Sequence, residues 1–199
     1  LSFVFFLLNI PVFGSDIGAF IPGKGWVTQK DSCDGDSTPL QFIPKTLPDE
    51  GPTSDELKKY PRCVHCGMNR TMWHHSRHLV HYRDNLAVGT CSIRCLAVNL
   101  SLNLDRGVKK IYAADFSKKN KPAPLIDAEK AVYLIGSKFK GTMTKNSKMA
   151  FAAKDLAQKA MDTHGGILGS FDEAMKAAYA DMADDTIMIR KRRAEKRKK

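Results

Sequence analysis

One succession of segments occurs twice in this chain and limits the folds open to it. His78–Tyr82 reads as a short apolar strand, Asn85 marks the turn after it, and Leu86–Gly89 is a second strand. Thr90 or Ser92 is placed to cap a helix running to about Leu104, because Cys95, Leu96, Val98 and Leu102 recur at helical spacing. Gly107 stops that helix, and Val108–Ala113 follows as a strand. The second round has the same order. Ala131–Ile135 and Met149–Ala152 are strands, Asp155–Thr163 is a helix with Gly165-Gly166 as its stop, and Ile167-Leu168 leads onward. Ser170-Phe171-Asp172-Glu173 is a capping box that opens a last helix through about Met182. His78–Phe116 and Ala131–Phe171 thus read as divergent copies of one ββα(β) unit. The expected fold class is α+β: two tandem ββαβ-like units, about 60–118 and 124–182, with antiparallel strands and helices on one side. Residues 15–59 are rich in Gly, Pro, Ser and Asp and read as an irregular lead-in.

The charge is unevenly placed. The 199 residues carry 32 Lys+Arg against 21 Asp+Glu, a formal net charge of +11. The last ten residues, RKRRAEKRKK, supply +7 of it, and the other 189 hold 24 basic against 20 acidic residues, a net of +4. A mildly basic body is a poor basis for nucleic-acid binding, and none is expected. Residues 183–199 are expected to be a helix end and a disordered, solvated basic tail, able to rest against an anionic membrane surface. At the other end, Leu1–Phe13 (LSFVFFLLNIPVF) is almost wholly apolar. Residues 1–14 read as the remnant of a signal peptide, with Val12-Phe13-Gly14 before Ser15 as its cleavage site. The expected location is therefore outside the cytoplasm: periplasmic, with membrane association open. Cys33 lies too far past this segment to be a lipidation site.

The chemistry is concentrated in sulfur. Cys63-Val64-His65-Cys66-Gly67-Met68 brings two thiols within reach of one ion and adds a thioether two residues on. Gly67 lets the backbone turn so that Cys66 and Met68 face one point. Thiolate with thioether is a soft donor set suited to Cu(I). Five of the six histidines lie between positions 65 and 81, and His74 and His75 are further candidate ligands. Cys91 and Cys95 share a helix face at i, i+4. Cysteine at such positions is commonly buried core, and in an oxidising compartment the pairs could be disulfides. Together Cys63, Cys66, Cys91 and Cys95 also have the spacing of a four-cysteine zinc site, which gives the alternative reading of a structural or interaction module.

Cys66-Gly67-Met68 is followed by Pro124–Ser137 (PLIDAEKAVYLIGS), Gly141-Thr142-Met143, Ala150–Lys154 and Gly165–Glu173. In this order the residues resemble the NosL family, accessory proteins of nitrous oxide reductase, over about residues 60–180. The resemblance implies two ββαβ units, similar in fold to organomercurial lyase, in an exported Cu(I) chaperone without catalytic turnover. It implies delivery of copper to the reductase alongside a membrane transporter complex. Carried over by position, Cys66 and Met68 hold the ion, and Met143, at the family's Gly-Pro-Met-Gly stretch, is a further ligand. Cys63 or a histidine completes the shell. The fold similarity to the lyase also raises an enzymatic alternative using Cys66, Cys95 and Asp115, but no local motif places the carboxylate.

Overall fold

Two short apolar strands, β3 (His78–Tyr82) and β7 (Val132–Ile135), hold equivalent central places in two small antiparallel sheets. The computed structural model describes residues 18–21, 25–28, 53 and 55–198. In the first sheet the strand order is β4–β3–β5–β6, with β4 Ala87–Thr90, β5 Val108–Ala114 and β6 Leu125–Asp127. In the second it is β8–β7–β9, with β8 Lys148–Phe151 and β9 Ile167–Gly169. Each central strand is thus flanked by the strand that follows it and by the strand after the helix. The doubled pattern in the sequence is a doubled topology, and the fold class is α+β.

Helix α2 (Ile93–Ser101) follows β4, and a 3-10 turn at Leu104–Arg106 precedes β5. Ser92 occupies the N-cap position of α2, but its side chain makes no capping bond. Helix α3 (Lys154–His164) follows β8, and α4 (Phe171–Lys196) begins on the expected capping box, Ser170 with Glu173. A box of this kind contributes about 1 kcal/mol to helix stability.

One core joins the two units. Val80, Tyr82, Val88 and Ile111 of the first sheet meet Leu96 and Ala97 of α2, Tyr133 and Ile135 of β7, and Phe171, Ala174 and Ala178 of α4. Small residues let α2 and α4 approach, and the Tyr179 hydroxyl donates to the Ala97 carbonyl at 2.9 Å. The alternate residues of β7 point the other way: Leu134 packs with Met149, Phe151 and Ala157 of α3. The second sheet is therefore covered on both faces, not on one. The run Val132-Tyr133-Leu134-Ile135 is apolar throughout because both of its faces are buried.

Several expectations are corrected. The lead-in contains a hairpin, β1 (Gly18–Ile21) with β2 (Gly25–Thr28), which belongs to a separate compact unit, Leu1–Ile43. Its two apolar runs stand on either side of Pro22-Gly23, a hairpin signal hidden among turn-forming residues. A short helix α1 (Glu56–Lys59) precedes the expected start of the domain, and its Glu56 is buried. The expected disordered tail is helical, since α4 runs to Lys196. Nothing from Phe171 to Lys196 is Gly or Pro, and Ala, Met, Lys, Arg and Glu propagate a helix already nucleated at the core. Among the described residues no helix is long and apolar enough to cross a membrane. The signal-like segment and Cys33 lie outside the described residues.

Candidate metal centre

The Cys63–Met68 segment closes on itself. The Cys63 amide donates to the Met68 carbonyl at 2.9 Å, the Gly67 amide donates to the Cys63 carbonyl at 2.8 Å, and Arg62 bridges to Asn69. Gly67 takes φ +72, the left-handed region where a side chain is strained. The turn expected of this glycine is what brings Cys66 back over Cys63.

Arg70 fixes that knuckle to the sheet. Its side chain is fully buried and donates to the carbonyls of Tyr60 at 2.6 Å, Thr90 at 3.1 Å and His78 at 3.0 Å, while Glu56 pairs with it at 2.6 Å. Glu56 also pairs with buried Arg77 at 2.6 Å. Thr90 immediately precedes Cys91, so one guanidinium sets the knuckle against the second thiol pair. Gly89 makes room for it: a Cβ there would stand 2.4 Å from Arg70 Nη1.

The result is a single group of sulfurs. The ligand atoms of Cys63, Cys66, Cys91 and Cys95 all lie within 4.8 Å of one another. Cys66 Sγ is 3.4 Å from Cys91 Sγ, which is 3.7 Å from Cys95 Sγ. Cys63, Cys91 and Cys95 are buried and Cys66 is exposed. Met68 and Met143 pack against this cluster. All four cysteines are free thiols, so the disulfide alternative is not what this state contains. Hydrogen bonds from Cys91 and Cys95 pull the Cys63 thiol far below its ordinary value, and the same bonds push Cys91 and Cys95 up. Of these three, Cys63 is the thiol that ionises first.

Met143 arrives from the second unit on a loop pinned from three directions. The Ser76 hydroxyl donates to the Cys91 carbonyl at 2.9 Å and is hydrogen-bonded to the Thr142 hydroxyl at 2.8 Å. Arg94 Nη1 donates to the Met143 carbonyl at 2.8 Å, and Asp181 on α4 accepts from Thr144 at 2.6 Å and from Asn146 at 2.7 Å. Arg94 in turn pairs with Asp185 at 3.4 Å. Burial alone would raise the Asp181 carboxyl, but the bonds from Lys148, Thr144 and Asn146 outweigh it and hold it below the usual carboxylate value. Met143 itself sits at φ +61, a strained conformation for a residue other than glycine.

The structure therefore brings Cys63, Cys66, Met68 and Met143 together, and with them Cys91 and Cys95, the grouping of the four-cysteine alternative. His74 and His75 are not in it. His74 Nδ1 accepts from the Ala123 amide at 3.1 Å, and the His75 ring packs edge-on to Phe116. Asp115 is not in it either; its Oδ1 is taken up by Ser117 and the Ala152 amide. Sequence reasoning missed Glu56, Arg70, Arg94 and Asp181. The one signal for any of them was Gly89, a glycine inside a strand, which marks a close approach.

These features define a class: a two-unit ββαβ domain carrying four thiols, with two thioethers packed against them, that could hold a metal ion. The NosL family profile matches residues 54–179, and the chain belongs to that family. Among solved structures, the crystal structure of the copper chaperone NosL from Shewanella denitrificans is similar at 26% identity. That similarity covers 56% of this chain and 87% of that one, with a TM-score of 0.47. No curated protein matches.

Proposed function

We propose that this protein is a Cu(I) metallochaperone that carries copper outside the cytoplasm for assembly of a copper enzyme, without turnover of its own. The observation that carries this reading is the packing of two thioethers, Met68 and Met143, against the thiols. Zinc has little use for a thioether, whereas Cu(I) is selected by thiolate and thioether together. Exposed Cys66 is the donor that an incoming thiol or thioether of the recipient reaches first, so the ion leaves by exchange of one ligand at a time. Membership of the NosL family supports nitrous oxide reductase as the recipient and a membrane transporter complex as co-worker. The basic end of α4, with exposed Ile187, Met188 and Ile189 beside it, suits an anionic membrane surface.

Cu(I) titration against a chromogenic chelator tests the reading. Cys66→Ser weakens the first equivalent by orders of magnitude, and Met68→Leu or Met143→Leu weakens it by about tenfold, ~1.4 kcal/mol. The sulfur–sulfur separations also favour a second reading. Four thiolates around one zinc ion stand roughly 3.8 Å apart, close to the separations found here. Stoichiometric zinc in the purified protein that Cu(I) does not displace would establish the zinc module instead.

A further inference from the structure

Six sulfurs converge on this pocket, which is more than one Cu(I) ion needs. Two or three soft donors satisfy Cu(I), so one ion would leave half of the set idle. The thiols also differ in access. Cys66 is exposed, whereas Cys91, 3.4 Å from it, and Cys95, 3.7 Å beyond, are 0% and 4% exposed. Cys63, also buried, closes the group within 4.8 Å.

We propose that the pocket takes two Cu(I) ions joined through the Cys91 thiolate: an outer ion reached by Cys66 and an inner ion held by the buried thiols, with the two thioethers completing the shells. This rests on the copper reading above. The two ions then differ in access, the outer one being transferable and the inner one retained until the outer has gone.

The experiment uses the full reduced chain under anaerobic conditions, titrated with Cu(I) in a buffered chelator. Native mass spectrometry counts the ions, and emission from a solvent-shielded Cu(I)–thiolate cluster follows the second. The wild type takes two equivalents, with emission growing as the second enters. Cys91→Ser takes one equivalent and loses the emission; Cys95→Ser, checked for folding by circular dichroism, does the same. Saturation of the wild type at one equivalent, or two equivalents retained in folded Cys91→Ser, overturns the two-ion site and leaves the copper reading standing. No copper taken up at all overturns both.

Discussion

The Arg94 guanidinium donates to the Met143 carbonyl at 2.8 Å, so the residue just before Cys95 holds the loop that carries the other unit's thioether. Arg94 touches no ion; it positions a ligand. Arg94→Gln should weaken the first Cu(I) equivalent by about tenfold, ~1.4 kcal/mol, while leaving thermal stability near that of the wild type. In a Met143→Leu background the same change should cost nothing further in affinity. An additive loss in the double variant would show that Arg94 acts elsewhere.

Met143 pays for its place with a left-handed backbone, and Asn accepts that conformation more readily. Met143→Asn should therefore hold stability within about 1 kcal/mol of the wild type, by denaturant unfolding, while copper affinity falls. A large loss of stability would mean that Met143 serves chiefly as packing.

Glu56 is paired with both Arg70 and Arg77 in the interior. Glu56→Ala leaves two buried guanidinium groups without their shared carboxylate, a change that costs about 3–5 kcal/mol. The melting temperature should fall steeply, and copper binding should weaken in whatever fraction stays folded, because Arg70 registers the knuckle against Thr90.

His78 is buried as the neutral imidazole. Its Nδ1 donates to the Ser76 carbonyl at 3.0 Å, and its Nε2 accepts from the Tyr133 hydroxyl at 3.3 Å. Burial lowers its pKa from 6.5 to about 3. The unfolded chain takes up this proton near pH 6.5 and the folded one resists until about 3. The contribution is thus complete above pH 6.5 and is lost as pH falls through that window, amounting to a few kcal/mol. Stability of the metal-free protein measured from pH 7 to pH 4 should show this slope, and His78→Gln should flatten it.

The basic end of α4 gives a fifth measurement. Each Lys or Arg near an anionic surface contributes about 1 kcal/mol. Co-sedimentation with vesicles containing an anionic phospholipid should be strong at low salt and lost in 0.5 M salt, since the Debye length there is only a few ångströms. Replacing Arg190, Lys191, Arg192 and Arg193 with Ala should abolish it. Equal binding to neutral vesicles would point to Ile187, Met188 and Ile189 instead.

Much of the fold was legible because its signals are local. The strand at His78–Tyr82, the capping box at Ser170 and the repeated segment order all lie within short windows of sequence. The hairpin at Gly18–Thr28 and the strand Leu125–Asp127 were not, the first because turn residues surround it and the second because three residues carry no period. In the site, Cys66 and Met68 were legible from adjacency, and Met143 came only from the family resemblance. The union of Cys91 with Cys66, 25 residues away, depends on Arg70 filling the space that Gly89 leaves. Anchors between residues distant in sequence, such as Asp181 on Thr144, have no trace in local pattern, since each partner reads alone as an exposed polar residue.

The doubled topology has one consequence for the site. Two units of the same strand–strand–helix–strand plan share one core, and the thiols belong to the first while the second contributes a thioether on a strained loop. Neither half alone encloses the sulfurs. How firmly a metal ion is held is then a gauge of how firmly the halves are clasped, and whatever pries α2 from the Met143 loop should loosen it without touching a single ligand.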